Sequence, residues 1–269
     1  MVINVYKKCK RKPAEIMKSI LFLTVITFFS TGIIAQEKLI HVFVALCDND
    51  SQGIVPVPKS IGDGTKPNTN LYWGAGYGMR NFFDKKTTDW VLIADLESEN
   101  PMILDRILFK HRTKDIYLLA DAYNGRNIKE CTENFLLSSN GQSPETITYQ
   151  NKQFEFGGGA DLFVYIGHNG LMDFDLNPKF KENKNPKDVM ILGCYSKSYF
   201  KEHIKKANAN PVLWTTHLMA PEAYVLHGAL NGYVINETGA QIDERAAQAY
   251  NTYQKCGIKG ARGLFTSGF

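Results

Sequence analysis

The chain lacks the patterns that mark several large enzyme classes. It has no Gly-x-Ser-x-Gly segment, which argues against a serine α/β-hydrolase. Gly74-Ala-Gly-Tyr-Gly78 lacks the spacing of a dinucleotide fingerprint and reads as a close-packing segment. His111, His203, His217 and His227 show no pairwise ligand spacing, so no zinc site is expected. Asp48-Asn-Asp-Ser-Gln-Gly53 opens like a calcium loop, but the twelfth position is Lys59 where a bidentate Glu belongs. No cofactor is therefore expected. There is no internal repeat and no low-complexity tract.

Long apolar runs are also scarce. The longest, Ile20 to Ala35, spans 16 residues and is broken by Thr24, Thr27, Ser30, Thr31 and Gly32. A membrane-spanning helix usually wants about 18 or more apolar residues. The basic residues Lys7, Lys8, Lys10, Arg11, Lys12 and Lys18 precede this run, and Gly32-Ile-Ile-Ala35 offers a cleavage site. Residues 1–36 thus read as a secretory signal peptide. Met17 is an alternative start. The expectation is a secreted or periplasmic protein with no stable membrane anchor after signal removal.

A strong excess of charge of one sign is missing as well. The full chain carries 31 Lys and Arg against 27 Asp and Glu. Residues 1–36 account for six of the former and one of the latter, which leaves 25 and 26, a net charge of −1. No electrostatic case for nucleic acid or an anionic membrane survives. Residues 37–269 suit one domain.

Strands alternate with helices through this domain. Buried strands are read at His41–Leu46, Trp90–Ala94, Ile116–Ala120, Leu162–Ile166, Asp188–Leu192 and Pro211–Thr215. Helices are read at Leu71–Phe83, Pro101–His111, Ile128–Leu137, Tyr199–Ala207, Pro221–Leu230 and Ile242–Cys256. The second helix rests on the spacing of Ile103, Leu104, Ile107 and Leu108. Residues 48–70 form a long loop, of the kind that often serves function. The expected fold class is α/β: a three-layer sandwich with a mainly parallel central sheet of about six strands.

Two segments carry chemistry. Leu162-Phe-Val-Tyr-Ile-Gly-His168-Asn-Gly170 and Asp188-Val-Met-Ile-Leu-Gly193-Cys194 are each a buried strand running into a glycine turn. Sites in open α/β sheets form outside the carboxyl ends of strands. Neighbouring strands lie roughly 4.8 Å apart, so adjacent placement would set His168 facing Cys194. That is the arrangement of a Cys–His nucleophilic site, with Cys194 attacking and His168 in acid/base work. The oxyanion donors would be the Cys194 N–H and the backbone of Gly170. Cys47 also ends a strand, as a core residue, a second thiol or a disulfide partner for Cys194. Cys131 and Cys256 read as core. Trp73, Tyr72, Tyr77 and Trp214 are core residues or groove walls.

The pairing of Tyr165-Ile-Gly-His168-Asn-Gly170 with Ile191-Leu-Gly-Cys194-Tyr-Ser196 resembles the caspase-like cysteine peptidases, the group of caspases, gingipains, legumains, separases and CHAT peptidases. The separase and CHAT pattern is the most similar. The resemblance implies a caspase-like fold, Cys194 as nucleophile, His168 as its partner, and a peptide or protein substrate. Asp121, Asp173 and Asp175, acids on loops after strands, could select a basic residue at the cleavage point or be solvated turn residues. Two departures stand out. Asn169 sits where the family usually has Gly, and three strands precede the His strand where the minimal caspase-like sheet has two. The alternative from another class is a non-catalytic caspase-like domain that binds a peptide, glycan or partner protein.

Overall fold

A computed structural model describes residues 37–269. The signal-peptide reading of residues 1–36 lies outside the described residues. The chain runs β1 (Lys38–Ala45), α1 (Met79–Lys86), β2 (Trp90–Leu96), β3 (Ile103–His111), β4 (Ile116–Tyr123), α2 (Ile128–Ser139), β5 (Pro144–Tyr149) and β6 (Lys152–Gly157). It continues with β7 (Leu162–Ile166), β8 (Asp188–Leu192), α3 (Ser196–Lys206), β9 (Asn210–Thr215), α4 (Ala223–Tyr233), α5 (Gly239–Gln254), α6 (Ile258–Leu264) and β10 (Phe265–Thr266).

Among the described residues eight strands form one sheet, in the order β10-β9-β8-β7-β1-β4-β3-β2. The five central strands, from β9 to β4, pair in parallel. Antiparallel strands finish both sides: β10 on β9, and β3 and β2 beyond β4. The sheet therefore has eight strands instead of about six. The extra ones lie outside the parallel block.

Both faces of the block are covered, because successive side chains of a strand point to opposite sides. Val42, Val164, Met190 and Leu192 face α1, α4 and α5. Phe43, Phe163, Tyr165 and Ile191 face α2 and α3. Burial on both faces explains why these strands read as unbroken apolar runs.

Two expected helices are corrected. Ile103–His111 is a strand, β3, paired on both sides. Ile107, Leu108 and Phe109 are all fully buried, so the alternation that would mark a strand is gone. The apolar spacing then mimics a helix. In the second case, the helix expected from Leu71 begins only at Met79. A Cβ on Gly74 or Gly78 would fall within 2.5 Å of backbone atoms, so the glycine-rich stretch folds as tight turns. The β5–β6 hairpin was not expected. It turns through Gln150 and Asn151, both at positive φ, as a tight two-residue hairpin requires.

Candidate active site

β7 and β8 are parallel neighbours, in register with Ile166 opposite Leu192. Each leads through one glycine to a reactive side chain: Gly167 to His168 and Gly193 to Cys194. Gly167 adopts φ +145°, and a Cβ there would lie 2.7 Å from the Ala45 carbonyl oxygen. The turn can be this tight only without a side chain. Gly193 is confined less severely, with the Gly167 oxygen 3.1 Å from its ideal Cβ position.

His168 is buried, with 7% of its surface exposed. Its Nε2 lies 2.7 Å from Asp173 Oδ2, and its carbonyl accepts from the Tyr165 hydroxyl at 2.7 Å. Nδ1 has no hydrogen-bond partner among the described residues. The Nε2–carboxylate bond therefore fixes which imidazole nitrogen remains for chemistry. Asp173 Oδ2 also accepts the Gly53 N–H at 2.9 Å. A short 3-10 turn, Gly170–Met172, carries the chain back from His168 to Asp173.

Asn169 joins the two strand ends. Its side-chain amide donates to the Cys194 carbonyl at 2.7 Å, and its Oδ1 accepts the Leu171 N–H at 3.1 Å. Glycine could make neither bond. Beyond Cys194, Tyr195 stands in the left-handed region at φ 50° and opens α3. Such a conformation in an aromatic residue costs roughly 1–2 kcal/mol. Neighbouring bonds hold it: Tyr195 N–H to the His217 carbonyl at 3.0 Å, and Ser196 Oγ to the Ile191 carbonyl at 2.8 Å.

Cys194 is a half-buried free thiol. Its Sγ accepts the Met219 N–H at 3.4 Å and lies 3.5 Å from the Met219 carbonyl oxygen. The Cys194 N–H has no acceptor among the described residues. His168 and Cys194 line one cavity of about 300 Å³, together with Gly167, Tyr72 and a set of aliphatic residues.

The remaining expected residues fall elsewhere. Gly170 is buried against Phe174 and Ile128, and its amide lies by the Tyr165 hydroxyl, away from the cavity. Asp121 is a core residue. It pairs with His41 Nε2 at 2.9 Å and with Arg106 at 2.6 and 2.7 Å, and Arg106 also reaches Glu145. Burial raises the Asp121 carboxyl, but His41 and Arg106 outweigh it and hold the group below the ordinary carboxylate range. Asp175 is exposed and sits within electrostatic reach of His203, off the cavity. Asp173 does belong to the site, as the group that orients His168.

The thiols separate cleanly. Cys47 is buried and unbridged, clamped by Asn70, whose side chain bonds both its N–H and its carbonyl. Burial, aided by Asp48, pushes its thiol up to about 11. Burial raises the Cys131 thiol well above its ordinary value. Cys256 lies just past the end of α5 and is exposed, so the expected core placement is corrected. Tyr72 and one edge of the cavity match the groove reading, whereas Trp73 and Trp214 are core.

No group of three or more His, Cys, Asp or Glu side chains among the described residues is arranged to hold a metal ion. No described helix is long and apolar enough to cross a membrane. The fold and site thus define an α/β domain with a cysteine and a histidine at adjacent parallel strand ends. No family model, curated protein or solved structure matches this chain.

Proposed function

We propose that this chain is an exported cysteine peptidase-like hydrolase, caspase-like in fold, that cleaves peptide bonds through Cys194 and His168. One observation carries the reading: His168 and Cys194 follow neighbouring parallel strands and line the same cavity, with the imidazole tied to a carboxylate. In this reading the Cys194 thiolate attacks the scissile carbonyl carbon, forming the S–C bond. The carbonyl electrons move to oxygen, where the Cys194 N–H is the free donor. His168 Nδ1 passes a proton to the leaving amine as the C–N bond breaks, leaving a thioester. Water then hydrolyses the thioester, with His168 as base and the thiol restored.

The topology supports the caspase-like comparison. Only β1 and β4 precede the His strand within the parallel block, and β2–β3 is an antiparallel addition at the edge. The rival reading, a peptide-binding domain without turnover, is favoured by Asn169. Its side chain is committed to the Cys194 carbonyl and the Leu171 N–H, where the family usually has a glycine.

Iodoacetamide labelling at neutral pH, with site assignment by mass spectrometry, tests the proposal. Cys194 and the exposed Cys256 are expected to label in the native protein, and Cys47 and Cys131 only after unfolding. His168→Ala is expected to slow Cys194 and leave Cys256 unchanged. Equal Cys194 rates in both proteins would remove the Cys–His pair as the active unit.

A further inference from the structure

The cavity beside Cys194 is built from chain segments far apart in sequence. Ile54 and Val55 come from the loop between β1 and α1, Met172 from the 3-10 turn after His168, and Leu218, Met219 and Pro221 from the loop between β9 and α4. All six are uncharged and predominantly apolar. Apart from His168 and Cys194, the one ionisable lining residue is Tyr72, which is buried.

The rim is unusual in its exposure. Val55 is 88% exposed and Leu218 66%, the two highest values among the exposed large hydrophobic residues described. Both stand at this one cavity, and Met172 beside them is 39% exposed. Apolar side chains held out in water at a concave site mark a surface that is covered when a ligand arrives. At about 300 Å³ the space is at the small end of ligand pockets, suited to one side chain.

The pocket offers no counter-charge. No Lys, Arg, Asp or Glu lines it. Asp173, the carboxylate bonded to two lining residues, spends Oδ2 on both His168 and Gly53. A charged side chain entering this space would lose its hydration without gaining a partner.

We propose that the site selects substrates with a bulky, uncharged apolar side chain, such as Leu, Met or Phe, on the residue preceding the scissile bond, seated among Ile54, Val55, Leu218 and Met219. This rests on Cys194 being the nucleophile. It replaces the expectation of a basic residue at that position.

The test uses a matched set of peptidyl acyloxymethyl ketones that differ only in that residue: Leu, Phe, Lys or Asp. The thiolate displaces the acyloxy group as a carboxylate, forming one S–C bond and breaking one C–O bond. Modification is followed on the full chain by mass spectrometry with site assignment. Hydrophobic pockets discriminate by factors on the order of 10 to 200 per apolar group, so the Leu and Phe probes are expected to modify Cys194 at least roughly 30-fold faster than the Lys and Asp probes. Leu218→Lys, at an exposed rim position, is expected to slow the Leu probe and raise the Asp probe several-fold.

Modification of Cys194 by the Lys or Asp probe as fast as by Leu would overturn the apolar selection and leave the nucleophile standing. Rates untouched by Leu218→Lys would overturn the seating of the side chain at this rim. Absence of Cys194 modification by all four probes, or modification that persists in Cys194→Ala, would overturn the nucleophile itself, and the selection with it.

Discussion

Replacing Asp173 separates charge from position at the candidate base. Its Oδ2 meets His168 Nε2 at 2.7 Å, with the imidazole 6% and the carboxylate 27% exposed. A hydrogen bond to a charged group contributes about 1.5–3 kcal/mol when buried, and the partial exposure of Asp173 moves the charge contribution to the lower end. Asp173→Asn can keep an oxygen in place for both His168 and Gly53 and loses only the charge. At about 1.4 kcal/mol per factor of ten, Cys194 reactivity or peptide turnover should fall roughly tenfold. Asp173→Ala removes the anchor altogether. Misplacing a reacting group by an ångström costs on the order of 100-fold, so the Ala variant should fall at least that far. The assay is kcat/KM on a cleaved peptide, or the pseudo-first-order rate of Cys194 alkylation with Cys256 as internal reference. Urea midpoints of both variants serve as a control, since the Ala variant also leaves Gly53 N–H without its acceptor. An Ala variant within about threefold of the parent would refute the orienting role.

Two further substitutions probe the frame around the site. Gly167→Ala forces a Cβ to 2.7 Å from the Ala45 oxygen at φ +145°, and should lower the urea-unfolding free energy by about 2–4 kcal/mol; a loss under about 0.5 kcal/mol would show that the turn adjusts freely. Asp121→Asn leaves buried Arg106 with only Glu145 and should cost about 3–5 kcal/mol at pH 7. Because the Asp121 carboxyl is held below its ordinary value, its contribution is complete above about pH 4 and is lost as pH falls through the lowered folded value. The variant's stability should therefore decline less steeply in acid than the parent's. Parallel acid limbs in urea melts would count against that assignment.

The parallel block was legible because it is buried on both faces. β1, β4, β7, β8 and β9 each read as an apolar run, and the glycines ending β7 and β8 flagged His168 and Cys194. β3 misled for the same reason: Arg106 to Phe109 are buried on both faces of the sheet, so it lost its alternation. The β5–β6 hairpin left a signal that could have been used, Thr146-Ile-Thr-Tyr149 before Gln150-Asn151, then Phe154 and Phe156 on alternate positions. Asp173 read as a substrate-selecting or solvated turn acid because a single 3-10 turn brings it back to His168, a geometry too short for periodicity to reveal. Asp121 read as a loop acid because it follows the apolar run Ile116–Ala120, but β4 continues to Tyr123, and only the fold sets Arg106 and His41 against it. Cys256 follows an amphipathic stretch but falls two residues past Gln254, where α5 has ended. The cavity wall was out of reach of local reading, since its residues meet only when three loops converge.

One oxygen of Asp173 serves two masters: the imidazole of His168 and the backbone of Gly53. The residue after Gly53 is Ile54, part of the pocket wall. The cavity wall and the carboxylate that orients His168 therefore share an anchor. In the proposed reading, a change at residues 53–55 that shifts the Gly53 N–H would also disturb the carboxylate holding the imidazole, and would be expected to alter kcat as well as KM. If the site turns over peptides as proposed, its substrate preference would be coupled to its turnover through the Gly53–Asp173 contact.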